Sequence, residues 1–151
     1  MKTAKLLLIV IVSALTNAIF AQDVNGLIPG NKYTRTQITN ALGQPTKYTT
    51  WDDEFGGGEE YIYRSDVFRF EAERGFVDFT IFSDKFSLFA NRIRIGDNIT
   101  ELTRLKLPGS KLETAGTDKY FFYPVGHQGD ALVITTDDKG VMTEISYSMS
   151  D

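Results

Sequence analysis

Three consecutive segments with a two-residue hydrophobic period, joined by very short breaks, most constrain the fold of this chain. They read EEYIYRS (59–65), VFRFEAE (67–73) and GFVDFTIFS (75–83). Such alternation is typical of β-strands with one buried face, and breaks this short allow only antiparallel neighbours. The sequence therefore predicts an antiparallel meander in which Phe68 and Phe70 share one face.

A second set of strands is predicted in the C-terminal half. The segments KYFFYP (119–124), DALVITTD (130–137) and GVMTEISYSM (140–149) again follow the strand pattern. The stretch DDKG (137–140) between the last two is typical of a tight hairpin turn. In the first set, SLFANRIRI (87–95) is predicted as a fourth strand.

Each set of strands is associated with a short capped helix. The segment 30–45 has the N-cap and capping-box pattern of a helix that begins after Thr34, and Gly43 ends it. The segment 93–111 has the same pattern beginning at Asn98. Helices this short are marginal in water, so we expect both to depend on packing against the strands.

The repeated order of elements predicts an α+β fold made of two tandem repeats. Each repeat is a short helical segment packed on an antiparallel β meander, the first over residues 22–92 and the second over 93–151. Gly30 and Gly96 mark equivalent starts. A meander covered by helices on one face is a two-layer arrangement, and its other face is left to solvent or to a partner.

The helix motif of the first unit carries a family resemblance. Gly30, Thr34, Ile38, Ala41-Leu42-Gly43 and Pro45 form a pattern that resembles the small envelope domain of the SmpA/OmlA family. The duplication of such a unit resembles the β-lactamase-inhibitor-protein-like (BLIP-like) fold. The resemblance implies a protein-binding module, acting either as an inhibitor or as an accessory of envelope assembly. SmpA/OmlA members are usually lipoproteins, whereas this chain has no cysteine to carry a lipid.

Residues 1–21 are typical of a secretory signal peptide. Lys2 and Lys5 precede an apolar run from Leu6 to Leu15, and Ala21 supplies a small residue at the cleavage position. The run is shorter than the about 20 residues that a transmembrane helix needs. We therefore expect a secreted or periplasmic protein, cleaved near Ala21 and without a stable membrane anchor afterwards.

Charge and cysteine content exclude several classes of function. The chain has a net charge of −4, and loss of Lys2 and Lys5 from its 16 basic residues leaves 14 against 20 acidic ones, or −6. The remaining Lys and Arg residues are scattered, which argues against nucleic acid as a partner and against binding to an anionic membrane surface. Because there is no cysteine, disulfides and a thiol nucleophile are impossible.

The stretch TTWDDEFGGGEEYIY (49–63) crowds carboxylates around a triple glycine. Its spacing differs from that of a calcium loop, and adjacent carboxylates repel each other. We interpret residues 52–60 as a hydrated loop between a helix and a strand, with a weak cation site as the alternative.

Motifs for catalysis or cofactor binding are missing from the sequence. The single histidine, His127, lies in a glycine-bounded turn without the pattern of a metal site or a catalytic triad. We therefore predict a non-enzymatic protein with no metal and no cofactor. A hydrolase built on two carboxylates that converge in one cleft is an alternative that sequence spacing does not test.

Aromatic and charged strand residues are the candidate partner-binding residues. Trp51, the only tryptophan, is either a core anchor or an exposed interface residue. Tyr61 and Tyr63 flank Ile62, so both face outward if Ile62 points to the core, and belong to the core if it does not. The full candidate set is Trp51, Tyr61, Tyr63, Arg69, Phe76, Tyr120 and Phe122.

These observations predict an exported, non-enzymatic protein-binding module whose partner is another exported or envelope protein. The alternative is a protein that binds a glycan or another envelope polymer, with Trp51 and the tyrosines as stacking platforms.

Overall fold

The computed structural model describes residues 23–54, 56–107, 109–123 and 129–150. Among these residues, eight strands form one antiparallel sheet and two short helices lie outside it. The strands are β1 Lys47–Trp51, β2 Gly58–Tyr63, β3 Asp66–Glu71, β4 Gly75–Ile81, β5 Lys111–Thr114, β6 Lys119–Tyr123, β7 Ala131–Thr136 and β8 Met142–Ser148. The helices are α1 Arg35–Leu42 and α2 Ile99–Arg104.

The strand order in the sheet is β1-β2-β3-β4-β8-β7-β6-β5. Strands β4 and β8 pair at its centre, with Phe79 opposite Tyr147 and Ile81 opposite Ile145. The predicted α+β fold of two tandem repeats, each a helical segment on its own meander, is therefore wrong. The molecule is mostly one eight-stranded sheet, because pairing β4 with β8 satisfies backbone groups that two separate meanders would leave at unpaired edges.

The hydrophobic core lies on one face of this sheet and is dominated by aromatic rings. The rings of Phe68 and Phe86 lie 4.8 Å apart between centroids in an edge-to-face contact, and those of Phe70 and Phe76 are stacked at 4.7 Å. Such pairs add to the free energy gained by burying the rings. The bulkiest fully buried side chains are Tyr61, Phe68, Phe76, Phe79 and Phe86.

Helix α1 forms part of the layer that covers the core. Its predicted capping box is confirmed: the Thr34 hydroxyl accepts a hydrogen bond from the Gln37 amide at 3.3 Å, and the Gln37 side chain accepts one from the Thr34 amide at 2.8 Å. The helix buries Ile38 and Leu42, which anchors it on the sheet. Helix α2 begins after Asn98, whose side chain accepts from the Thr100 amide at 3.1 Å.

The segment 87–95, predicted to be a strand, is irregular and completes the covering layer. Phe89, Ala90 and Asn91 have φ angles of 53°, 55° and 67°, which a strand does not contain. Leu88 makes only isolated bridges, to Val24 and to Ile93. The segment nevertheless buries its large apolar side chains, since Leu88, Phe89 and Ile93 are all at most 2% exposed.

The two edge strands, β1 and β5, are not predicted by the sequence pattern. Because β1 pairs with β2 over Lys47–Trp51, the acidic stretch connects two strands. The prediction that it connects a helix to a strand is therefore wrong. Glu59 and Glu60 belong to β2. Asp53 stabilises the turn, since its carboxylate accepts a hydrogen bond from the Gly57 amide at 3.0 Å.

Two sequence predictions fall outside the described residues, namely the signal peptide 1–21 and the turn around His127. In the part of the chain that the structure describes, no helix is long and apolar enough to cross a membrane.

Replacement of Phe79 by alanine tests the position of the core. Phe79 is completely buried and lies at the central strand pair, so Phe79→Ala should lower the free energy of unfolding by about 3–5 kcal/mol. Phe82→Ala is the matched control, because Phe82 is 45% exposed, and it should change stability by less than about 1 kcal/mol. Urea denaturation of both variants measures the difference, and equal losses would contradict the assignment of the core.

Candidate functional site

The two faces of the sheet differ in what covers them. The core cluster lies on one face, and the residues that alternate with it stay half-buried or exposed. We call this second side the open face. Two cross-strand rows run along it. One, which we call the apolar row, has apolar residues at four of its six positions and consists of Ile62, Val67, Thr80, Ser146, Val133 and Phe121; the other is a charged row of Glu60, Arg69 and Asp78.

The apolar row crosses six strands, and its polar members Thr80 and Ser146 lie on the two central ones. Ile62 lies opposite Val67, Val67 opposite Thr80, and Thr80 opposite Ser146. Ser146 lies in turn opposite Val133, and Val133 opposite Phe121. All six residues of the row are half-buried. Sheet faces that only meet water usually carry polar side chains, so this row is unusual for a solvated surface.

The charged row places one arginine between two carboxylates. Arg69 donates a hydrogen bond from Nε to Oε2 of Glu60 at 2.7 Å, and its Nη1 lies 3.9 Å from Oδ1 of Asp78. The hydrogen bond to Glu60 raises the pKa of Arg69, so the guanidinium stays charged. Asp78 has the weaker contact with this cation.

Asp78 pays a desolvation cost that Arg69 only partly offsets. Burial raises the pKa of Asp78 above its ordinary value, the charge of Arg69 lowers it, and the charge of Glu60 raises it further. The raised pKa means that the ionised carboxylate is less stable here than in water. Asp78 is therefore the least stabilised of the three charges in the charged row.

Of the seven candidate residues, the open-face rows contain only Arg69. Four others belong to the core: Tyr61 and Phe76 are 0% exposed, Tyr63 3% and Phe122 4%. The structure places these four side chains in the core, where at most 4% of each is exposed, and this burial argues against direct contact with a partner. Of the two orientations considered for Tyr61 and Tyr63, outward or into the core, the structure shows the second.

The buried tyrosines have internal partners for their hydroxyl groups. Tyr61 donates a hydrogen bond to Oε2 of Glu59 at 2.7 Å, and Tyr63 donates one to the carbonyl oxygen of Gly43 at 2.9 Å. Burial raises the pKa of Tyr63 to about 12. Both rings therefore remain neutral core residues in the physiological pH range.

The two remaining candidates are half-buried. Tyr120 lies opposite Ile134 on the covered face and packs against the core. Trp51 ends β1, where it lies opposite Gly58, and its indole covers that glycine so closely that a Cβ built there would lie 2.3 Å from Cζ2 of Trp51. Trp51 thus lies at one end of the sheet, away from the apolar row.

Trp51 lines a cleft of about 520 Å³ at this end of the sheet. Its other principal side chains are Lys32, Tyr33, Arg35, Glu59 and Glu71, and we call it the Trp51 cleft. The carboxylate of Glu59 accepts hydrogen bonds from the hydroxyls of Tyr48 at 2.8 Å and Tyr61 at 2.7 Å. Burial and this contact with Glu59 raise the pKa of both tyrosines.

Sequence reasoning missed most of the open face. Ile62, Val67, Val133 and Phe121 were recognised as strand residues, but alternation alone does not say which side of a strand is covered. Asp78 was not among the candidate residues either. The sequence feature that could have identified it is its position as the one acidic residue within the aromatic segment 75–83.

In the described part of the chain, no three His, Cys, Asp or Glu side chains converge in the manner of a metal site. The acidic residues of the stretch 52–60 are instead divided between the β1–β2 turn and strand β2.

Comparison with known proteins identifies no family for this chain. No protein-family model matches it, and no curated protein matches its sequence. Among solved structures, it is similar to a DUF4309 family protein (YjgB) from Bacillus subtilis subsp. subtilis str. 168, with 14% sequence identity and a TM-score of 0.40 over 80% of each chain. Similarity at this level carries no argument about function.

Replacement of Asp78 by asparagine tests the electrostatics of the charged row. Because the folded pKa of Asp78 is raised, the unfolded state releases its proton first as pH rises, and stability is lost from about pH 4 upward. Asp78→Asn should therefore unfold at higher urea concentration than the wild type at pH 7. Near pH 3 the carboxyl is protonated in both states, and the difference should shrink.

The matched control for this prediction is Asp138→Asn, because Asp138 lies exposed in the β7–β8 turn. The prediction is contradicted if Asp78→Asn unfolds at a lower urea concentration than the wild type at pH 7 and this deficit shrinks at pH 3. That result would show that ionised Asp78 stabilises the fold through Arg69.

Proposed function

We propose that this chain is an exported, non-enzymatic protein-binding module that docks its partner on the open face of the sheet. The apolar row supports this proposal most directly, since Ile62, Val67, Val133 and Phe121 place hydrophobic surface where polar residues would be expected on a solvated sheet. These residues form two apolar pairs, Ile62–Val67 and Val133–Phe121, with the hydroxyl residues Thr80 and Ser146 between them. Apolar surface beside charged residues is a frequent mark of protein interfaces.

The dimensions of the open face suit such an interface. Eight strands at the usual spacing make the sheet about 34 Å wide. The five longest strands have six or seven residues, so they are about 20–23 Å long. The resulting area of about 700 Å² is close to the roughly 800 Å² that each partner buries in a standard stable complex.

The charged row indicates the chemistry of the partner. The contact between Arg69 and Asp78 is long, at 3.9 Å, and the ionised form of Asp78 is disfavoured by burial. A lysine or arginine of a partner would neutralise Asp78 and relieve this cost. The net charge of −6 that remains once Lys2 and Lys5 are removed, with 14 basic against 20 acidic residues, also favours association with a basic surface. The proposal therefore specifies a partner with a basic residue beside apolar side chains, and it covers both enzyme inhibition and assistance in envelope assembly.

Affinity capture with matched variants tests the proposal. Tagged protein 22–151 is incubated with an envelope and culture-supernatant extract, and bound proteins are identified by mass spectrometry. Val133→Asp should abolish capture, because it places an unpaired charge in the apolar row. Asn40→Asp is the control, since it makes the same charge change on the exposed side of α1.

The expected result is a protein captured by the wild type and by Asn40→Asp but not by Val133→Asp, followed by direct binding of the purified pair. Equal capture by all three proteins, or capture by none, would contradict docking on the open face.

A further inference from the structure

The Trp51 cleft is separate from the open-face rows and has the size of a ligand site. Its volume of about 520 Å³ lies within the range of about 300–1,000 Å³ that is usual for small-molecule pockets. It lies where the ends of β1, β2 and β3 meet the segment that leads into α1. Aromatic, cationic and acceptor groups therefore come from four different parts of the fold.

The acidic groups of the cleft already have partners within the protein. Each oxygen of Glu59 accepts a tyrosine hydroxyl, from Tyr48 and Tyr61. Glu71 lies 3.6 Å from Nη1 of Arg74. These carboxylates are held in place and keep spare lone pairs with which they can accept hydrogen bonds from hydroxyl groups.

The cations of the cleft are less engaged. The guanidinium carbon of Arg35 lies 3.9 Å from the centroid of the Tyr48 ring, which orients the planar group by stacking. Among the described residues, none accepts a hydrogen bond from this guanidinium. Lys32 has one distant acidic neighbour, Glu73 at 4.0 Å. Two donors for an anion are therefore available, and the fork of Arg35 matches the geometry of a carboxylate.

Trp51 supplies a flat apolar surface in the same cleft. Because Gly58 has no side chain, the indole lies against the backbone of β2. The Trp51 side chain is therefore already ordered, and it loses little conformational entropy when a ligand binds. The hydroxyls of Thr34 and Thr50 also line the cleft. The cleft therefore combines a flat ring, hydroxyl groups and a guanidinium that stacks on Tyr48 and donates no hydrogen bond to another described residue.

We infer that the Trp51 cleft binds a carboxylated sugar, such as a uronic acid residue. The sugar ring stacks on Trp51, its hydroxyls bond to Glu59 and the two threonines, and its carboxylate pairs with Arg35. This inference does not depend on protein docking, because the cleft and the apolar row share no residue.

Fluorescence tests the inference cleanly, since Trp51 is the only tryptophan in the chain. Protein 22–151 is titrated with galacturonate and with galactose, which differs in having a hydroxymethyl group in place of the carboxylate. Galacturonate should give a saturable change in Trp51 emission that weakens as salt is added, and galactose should bind at least about tenfold more weakly because it lacks the charge-assisted hydrogen bonds.

Arg35→Gln should weaken galacturonate binding by about tenfold or more, and Arg92→Gln is the control because Arg92 is exposed in the irregular segment. Circular dichroism checks that both variants are folded, and isothermal titration calorimetry gives a second readout. The inference is overturned if galacturonate gives no saturable signal, if galactose binds equally well, or if Arg35→Gln binds as the wild type does.

Discussion

Strands β4 and β8 pair at the centre of the sheet, where the rings of Phe79 and Tyr147 stack with 5.5 Å between their centroids. This contact joins the strands of the N-terminal and C-terminal halves into one sheet. Without it, each half would expose an edge of unpaired backbone groups beside its own aromatic residues. Every larger feature of the molecule, including the shared core and the width of the open face, depends on this pair.

A sheet of eight strands is large for the layer that covers it. Helices α1 and α2 have only 8 and 6 residues, and an irregular segment around Leu88 and Phe89 supplies the rest of the cover. The two helices and this irregular segment together cover only one face of the sheet. The other face then carries half-buried apolar side chains and the strained electrostatics of Asp78, a combination that costs stability and is consistent with retention for binding.

Local patterns predicted the long strands and the helix caps, because both depend on residues close in sequence. Strand β1 was missed because its KYTTW sequence is polar and half-exposed at an edge. Side-chain directions changed at two bulges, between Arg69 and Phe70 and between Thr135 and Thr136. As a result Phe76 and Met142 turn inward, against simple alternation. The open face was not predictable, since it depends on which side the distant covering segments occupy.

Thiol accessibility tests directly whether one face of the single sheet is uncovered. The chain has no cysteine, so Ser146→Cys on the open face and its neighbour Ile145→Cys on the core face each introduce a single reporter. Because Ser146 is half-buried on the open face and Ile145 is completely buried, a maleimide should label the folded Ser146→Cys protein much faster than the folded Ile145→Cys protein, which should react only on unfolding. Equal protection of both positions would show that the second face of the sheet is also covered.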